Sequence, residues 1–292
     1  MERARRNDDR NTLGIGRPIN KILQSIERKP VRRFYKFRSV DKDLVKDHAL
    51  DALINSYAIF SSRTNFNDLV DSKIHIPHPT PGQIQELLRG PEKGSQAATI
   101  RSWISGGRFT PTGLTALRNM ETSFNEIIDY YPIYCLSTSD SDPLLWAHYA
   151  SSHTGFCIEF EFPGDQPTEV HYREQLETIP LLDFIKAFHY PGPGGLELAN
   201  RIYEALHVKL KRWAGEGEYR WIAGNEIGNL PKGSKFKKVP YDSAWVKAVI
   251  FGCRTSTEVK AYIKANLPFK TEFKQAIETR DDIEVVSKDW SF

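Results

Sequence analysis

The chain lacks any hydrophobic run long enough to cross a membrane, and its first thirty residues are charged, without the apolar stretch of a secretory signal. Cysteine is scarce: Cys135, Cys157 and Cys253 are the only three, and no Cys-x-x-Cys pair occurs. This pattern excludes a disulfide framework. Together these absences predict a protein of the reduced, cytoplasmic compartment with no membrane partner.

Several catalytic signatures are also missing. The sequence contains no G-x-S-x-G, no H-E-x-x-H and no kinase signature. The glycine-rich stretch PGPGG at 191–195 lacks the Lys-Ser/Thr pair of a phosphate-binding loop, which excludes an ATPase of that type.

The composition is that of an ordinary folded protein, with 292 residues, 40% hydrophobic and 26% charged. Charge is unevenly distributed, because residues 1–38 hold twelve Lys and Arg against four acids, whereas the remainder holds 28 against 33. We predict a basic, partly disordered arm over 1–30 and a single domain over 31–292. The arm is suited either to phosphates of nucleic acid or to solvation as a charged tail.

Hydrophobic periodicity predicts an irregular mixture of helices and strands. The predicted helices are 17–30, 41–56, 111–129, 141–155, 196–214 and 255–267. The predicted strands are 32–39, 57–62, 131–139, 156–162, 218–224, 244–252 and 281–286. Residues 75–95 are proline-rich and predict a loop. This order favours an α+β fold with a mixed, mostly antiparallel sheet and flanking helices.

The densest motif lies at 136–160, where a strand, a capped helix and a strand follow one another. Asp142 is the expected helix cap, and Trp146 and Tyr149 share a helix face, which is also typical of a core pair. Cys135, His148, His153 and Cys157 are zinc-ligand types, but the wide separation of Cys135 from His148 and the place of Cys157 within a strand argue against zinc. We therefore predict no metal site.

A second motif is RWAGEGEYRW at 212–221, where Glu216 and Glu218 alternate onto one strand face together with Arg220. Two neighbouring carboxylates suit a sugar hydroxyl or acid–base chemistry, and a solvated edge with Glu–Arg pairing is the structural alternative. Earlier in the chain, Arg38 lies on the polar face of the first strand, and Ser137-Thr138-Ser139 ends another.

The order Arg, Ser-Thr-Ser, Glu-x-Glu resembles that of ADP-ribosyltransferases. The resemblance implies a split sheet and NAD as substrate: Arg38 would hold a phosphate, Ser137 would shape the nicotinamide pocket, and Glu218 would hydrogen-bond a ribose hydroxyl. The residue types suit this chemistry, because a carboxylate stabilises the positive charge that develops on the ribose as nicotinamide leaves. A guanidinium suits pyrophosphate because it is planar and permanently charged.

Four segments carry a resemblance to a known family: FYKFRS, Asn65–Asp68, LLWAHYASSHTGFCIEF and EGEYRW. The chain resembles the bacterial family called domain of unknown function 2971 over roughly residues 34–290. The chain departs from that family's Asn-Asp-Pro at Leu69, which places the tight turn after Asp68 in question. The resemblance implies a bacterial or mobile-element protein, with some members associated with anti-phage defence. It implies a site formed by Tyr35, Arg38, Asn67, Asp68, His148, Tyr149, His153, Glu218 and Arg220. An Asx-turn is the structural alternative for Asn67 and Asp68.

The leading hypothesis is an NAD-dependent ADP-ribosyltransferase-like effector of a toxin or defence system that modifies nucleic acid or protein, with a possible antitoxin or defence-system partner. Its assigned catalytic residues are Glu218, Glu216 and Ser137. Its assigned NAD-binding residues are Tyr35, Arg38, Asn67, His148, Tyr149, His153 and Arg220.

Two alternatives remain open. One is a non-catalytic nucleic-acid-binding or sensing module that uses the basic arm, the aromatics and the lysines 232, 235, 237 and 238. The other is a metal-dependent nuclease built on Asp68, His148, His153 and Glu218.

Overall fold

The computed structural model describes residues 33–90, 96–164, 167–189, 193–222 and 228–287. The predicted basic arm at 1–30 and the predicted helix at 17–30 lie outside these ranges. The described residues confirm an α+β fold with a mostly antiparallel sheet and several helices. No helix within them is both long and apolar enough to span a bilayer.

The strands are β1 (Phe34–Arg38), β2 (Tyr57–Ser61), β3 (Ile104–Ser105), β4 (Arg108–Phe109), β5 (Ile133–Ser137), β6 (Phe156–Phe160), β7 (Thr168–Glu169), β8 (His171–Arg173), β9 (Val208–Leu210), β10 (Glu218–Ile222), β11 (Phe236–Pro240), β12 (Val246–Phe251), β13 (Glu272–Glu278) and β14 (Ile283–Ser287). The α-helices are α1 (His48–Ile54), α2 (Pro81–Arg89), α3 (Ala97–Arg101), α4 (Pro111–Asp129), α5 (Pro143–Tyr149), α6 (Leu181–His189), α7 (Gly194–Leu206) and α8 (Thr257–Asn266).

The main sheet runs in the order β11-β2-β5-β1-β6-β12-β13-β14, and β10 and then β7 extend it from β5. The pairs are antiparallel except β12 with β13. One apolar cluster joins α2, α4, α6 and α7 to the β5–β10 region, and a second joins α1 and α8 to the central strands. A third, smaller cluster forms where Trp146 of α5 packs edge-on against Phe37 of β1.

Among the described residues, strand β5 pairs with three strands, and this arrangement creates the site. β10 pairs with β5 along its whole length, from Glu218 opposite Ser137 to Ile222 opposite Ile133. The other edge of β5 therefore serves both remaining partners, with β2 pairing at Ile133 and β1 pairing at Ser137. Between these two points β1 and β2 diverge, and the sheet opens into a cleft beside the middle of β5.

The segment at 136–160 folds as the sequence predicts in outline. Asp142 caps α5 by accepting hydrogen bonds from the Leu144 and Leu145 amides at 2.7 and 3.3 Å, and Pro143 occupies the first turn. The helix ends earlier than predicted, at Tyr149, because residues 151–153 adopt positive φ in a tight turn. Gly155 lies beyond that turn and does not terminate the helix.

The predicted strand at 156–162 forms β6, and all five of its residues are buried. β6 lies between β1 and β12 and carries apolar clusters on both faces. Cys157 joins one of these clusters, and the buried Glu159 is compensated by Lys274 and Arg33, each at 2.7 Å.

Other boundaries differ for local reasons. The predicted helix at 41–56 begins at His48 because the Asp47 side chain accepts a hydrogen bond from the Leu50 amide at 2.7 Å. The predicted helix at 196–214 ends at Leu206, and its continuation forms β9, which pairs in parallel with β8. The segment predicted as loop contains α2, which Thr80 and Gln83 begin as a capping box. Strands β11 and β13 were not predicted.

Candidate active site

The opening between β1 and β2 forms a cleft of about 590 Å³, which is within the usual range for small-molecule sites, ~300–1,000 Å³. Its walls come from β1, β2, β5, β10, α5 and the loop after β2. Eight of the ten predicted site residues line it: Tyr35, Arg38, Asn67, Ser137, His148, Tyr149, Glu216 and Glu218. The cleft therefore gathers side chains that are more than 180 residues apart in sequence.

Strand register brings three of these residues into one row. Tyr35 of β1 lies opposite Ser137 of β5, and Ser137 lies opposite Glu218 of β10. The Ser137 hydroxyl donates to the Glu216 carbonyl at 2.9 Å, which attaches the end of β5 to the turn before β10. In that turn Gly217 adopts φ +51°, a left-handed conformation that glycine tolerates, so the chain turns sharply between the two glutamates.

The two glutamates meet in a charged network at one end of the cleft. The Lys209 ammonium contacts Glu216 and reaches Glu218 at 2.8 Å, and it lies 3.4 Å from Asp71. Glu216 also accepts a hydrogen bond from the Tyr149 hydroxyl at 2.9 Å. Burial acts to raise the pKa of Glu218, but the charges of Arg220 and Lys209 outweigh it and hold the pKa well below its usual range. Glu218 is therefore ionised throughout the physiological range.

Arg220 supports this network from beneath and does not line the cleft. Its side chain is fully buried, with Nε 2.7 Å from Glu218 and Nη2 2.7 and 2.9 Å from the two carboxylate oxygens of Asp71. It also donates to the Ser72 hydroxyl and to the Leu206 carbonyl. The prediction that Arg220 contacts a ligand is thus corrected. The guanidinium N–H groups of Arg220 donate to other residues of the protein, and Arg220 holds Glu218 in position.

A second group of cations lies on β1. Lys36 Nζ donates a hydrogen bond to the Cys135 carbonyl at 2.5 Å, and this carbonyl lies on the part of the β5 edge that neither β1 nor β2 covers. The same Nζ lies 4.7 Å from the centre of the Tyr134 ring. The Arg38 guanidinium lies 5.8 Å from the same ring. Burial, and then the charge of Arg38, lower the pKa of Lys36 to about 8. Within the described ranges, neither cation forms an ion pair with a carboxylate.

The tyrosines of the cleft stay protonated. Burial, and then Glu159, raise the pKa of Tyr35 to about 12. Burial and then Glu216 raise the pKa of Tyr149 well above its usual value. Both phenols are therefore hydrogen-bond donors rather than bases near neutral pH. His148 lies exposed beside Tyr149 on the wall that α5 provides.

His153 and Asp68 do not line the cleft. His153 belongs to the tight turn after α5, with φ +70°, and its backbone pairs with Trp146 and Arg254. Asp68 accepts a hydrogen bond from the Val70 amide at 3.0 Å, as the Asx-turn alternative predicts. Of the four residues assigned to a nuclease, the cleft contains His148 and Glu218 only. No group of three or more His, Cys, Asp or Glu arranged to hold a metal ion occurs in the ranges that the structure describes.

Sequence reasoning missed three charged residues of the site: Lys36, Lys209 and Asp71. Lys36 alternates onto the same strand face as Arg38, but its role depends on the uncovered edge of β5, which no local pattern reveals. Lys209 fell inside a predicted helix. Its flanks, Val208 and Leu210, were the available signal, because a lysine between apolar residues in a buried strand requires carboxylate partners.

The fold and the cleft define an α+β protein with a polar, charged pocket in an opened sheet. In comparisons with protein-family models, curated proteins and solved structures, none matches this chain.

Proposed function

We propose that the cleft binds NAD and that the protein transfers its ADP-ribose group to an acceptor. The observation that carries the proposal is the convergence of two glutamates, Lys36 and Arg38 on one cleft at the opening of the sheet, with no carboxylate paired to either cation among the described residues. A cleft between diverging strands supports the split-sheet resemblance to ADP-ribosyltransferases. As the resemblance to the domain of unknown function 2971 family implies, we also place the protein among effectors of bacterial toxin or defence systems.

The residues divide into two roles. Arg38, with Lys36 beside it, would bind the pyrophosphate, because neither cation has a carboxylate partner in the described part of the chain and each has further N–H donors for an anion. Tyr35 and Ser137 would shape the nicotinamide pocket next to the glutamates. Glu218 would accept a hydrogen bond from a ribose hydroxyl and stabilise positive charge. Each of its carboxylate oxygens accepts one hydrogen bond from the described residues and can accept more.

The transfer is balanced without any further reactant. The bond between the ribose anomeric carbon and the nicotinamide nitrogen breaks, and its electron pair leaves with nicotinamide. A nucleophilic atom of the acceptor forms the new bond to that carbon and loses a proton to solvent. Between departure of nicotinamide and attack by the acceptor, the ionised Glu218 stabilises the positive charge on the ribose, because attraction between opposite charges is strong in a site shielded from water.

The test is turnover of adenine-labelled NAD, followed as nicotinamide release and as label transfer to RNA, DNA or lysate proteins. We expect Glu218→Gln to lower turnover ~10²- to 10³-fold, the usual effect of removing one transition-state stabiliser. Glu174→Gln is the matched control, because Glu174 pairs with Lys211 on the surface at 2.8 Å and is outside the cleft. We expect it to keep full turnover.

Glu218→Gln also leaves Lys209 and Arg220 incompletely paired, so its folding must be checked by thermal unfolding. Arg38→Gln provides an independent test, because Arg38 is half-buried and has no ion pair to lose within the described residues. We expect it to fold and to bind NAD about 10- to 100-fold more weakly, the effect of losing one charged hydrogen-bonding contact. Absence of both NAD binding and turnover in the wild-type protein would overturn the proposal.

A further inference from the structure

The mouth of the cleft carries an exposed aromatic side chain. Phe236 is 46% exposed, opens β11 and lies opposite Ser61 of β2. Phe236, Ser61 and Ile59 all line the cleft, so the outer face of β2 and β11 continues its wall to the surface. A phenyl ring left at the edge of a polar cleft offers a planar apolar surface to a ligand ring.

Positive charge surrounds this ring. Lys232, Lys235 and Lys238 are exposed on the turn before β11 and along the strand itself. Lys238 shares the face of Phe236, where it lies 4.3 Å from the centre of the Tyr57 ring and makes an exposed pair with Asp51 at 3.3 Å. Such a surface pair holds its lysine only weakly, so the ammonium can exchange it for another anion.

Amide side chains complete the surface. Asn65 and Asn67 are exposed on the loop that follows β2, and both line the same cleft. This loop lies beside the start of β11, because the Ser62 amide donates to the Lys235 carbonyl at 2.9 Å. An amide group carries both a donor and an acceptor, as the edge of a nucleobase does.

We propose that this surface, formed by Phe236, the three lysines and the two asparagines, binds single-stranded nucleic acid as the acceptor of the transfer. A base would stack on Phe236, phosphates would pair with the lysines, and the asparagines would meet the base edge beside the cleft. A single strand fits because its bases can be splayed onto a protein ring, whereas those of a duplex are stacked on one another. The acceptor role rests on the proposed function.

The experiment measures binding of the full chain to fluorescein-labelled single-stranded RNA, single-stranded DNA and duplex of one sequence, by anisotropy at several salt concentrations. We expect single strands to bind more tightly than duplex. We expect Phe236→Ala to weaken single-strand binding about 5- to 100-fold, the loss of one stacked base. Phe188→Ala is the matched control, because Phe188 on α6 is also 46% exposed and lies outside the cleft. It should leave binding unchanged.

The lysines are tested by salt dependence. Lys232→Ser combined with Lys235→Ser should reduce the slope of log affinity against log salt by about 1.4, since each phosphate contact on a single strand contributes ~0.7. Single-strand binding that Phe236→Ala leaves unchanged would overturn the proposal, since binding would then depend on other residues. Label transfer to protein alone would overturn it as well.

The two proposals fail in different ways. A protein that cleaves NAD but binds no single strand retains the proposed function and loses this inference. A protein that binds single strands through Phe236 but neither binds nor cleaves NAD retains the surface as a binding site and loses both the proposed function and the acceptor role.

Discussion

At the scale of single residues, the ionisation of Lys36 makes ligand binding sensitive to pH. Its pKa is lowered to about 8, so the ammonium is charged below that pH and loses its proton as the pH rises through it. We expect the affinity for ADP-ribose to fall about 10-fold between pH 7 and pH 9.5, the loss of one charged contact to the pyrophosphate. Titration calorimetry across this range measures it.

Lys36→Arg provides the control for this pH dependence. Arginine stays charged over the whole range, so the affinity of the variant should be nearly constant between pH 7 and pH 9.5. ADP-ribose has no pyrophosphate group that titrates in this window, so a slope that survives in the variant would assign the effect to a residue other than Lys36.

Much of the cleft could be predicted from residue types, because functional side chains cluster at strand ends and beside alternating strands. This reasoning placed Tyr35, Arg38, Ser137 and Glu218 in one site, and all four line the cleft. It could not separate a residue that faces a ligand from one that supports it. Arg220 has the chemistry of an anion-binding residue, and only the folded structure shows that its donors are already used by Asp71, Ser72, Leu206 and Glu218.

At the scale of elements, the junction of α5 and β6 depends on a close backbone approach at Gly155. A Cβ added there would overlap the carbonyl oxygen of Arg38, the last residue of β1. We expect Gly155→Ala to lower the free energy of unfolding by ~1–3 kcal/mol, the usual cost of overpacking. Urea unfolding measures this, and ADP-ribose binding should weaken with it because Arg38 would move.

Gly195→Ala is the matched control at the element scale. An added Cβ meets no atom within 4 Å there, and the residue lies in the first turn of α7, where alanine is the better helix former. We expect stability to be unchanged or to rise by up to ~1 kcal/mol. Equal destabilisation by both substitutions would show that contact with Arg38 is not the cause.

Elements with strong local signals were predictable, and those that depend on distant partners were not. Helix α4 matches its predicted range, Pro111–Asp129, because Thr110 caps it and its apolar residues recur at helical spacing. β9 and β11 were not predicted, because their pairing depends on strands far away in the sequence. β9 pairs with β8, some 37 residues earlier, and β11 pairs with β2, about 180 residues earlier. No local pattern carries such pairings.

At the scale of the whole molecule, the charged network joins parts of the chain that fold together. Asp71 follows β2, Lys209 lies on β9, and Glu218 and Arg220 lie on β10. His207, between α7 and β9, lies against this network, because Arg220 donates to the carbonyl of the preceding Leu206. The acid stability of the fold should therefore depend on His207.

His207 is buried as a neutral imidazole. Its Nδ1 donates to the Tyr203 carbonyl at 2.9 Å, and its Nε2 has no hydrogen-bond partner among the described residues. Burial first, and then the charges of Arg220 and His171, lower its pKa to about 4, although the Tyr203 bond acts to raise it. The unfolded chain therefore binds a proton near pH 6.5 that the folded chain does not bind until about pH 4, so stability is lost as the pH falls through this window.

Between pH 7 and pH 5, this linkage should lower the free energy of unfolding by about 2 kcal/mol, at 1.36 kcal/mol per pH unit below 6.5. Urea unfolding at the two pH values measures the loss. His207→Asn retains a donor for the Tyr203 carbonyl but does not titrate, so its loss over the same interval should be smaller by nearly that amount. The comparison cancels the contributions of the other histidines, which both proteins share. Equal losses in the two proteins would show that another group controls unfolding in acid and that the network beneath the cleft tolerates a charged His207.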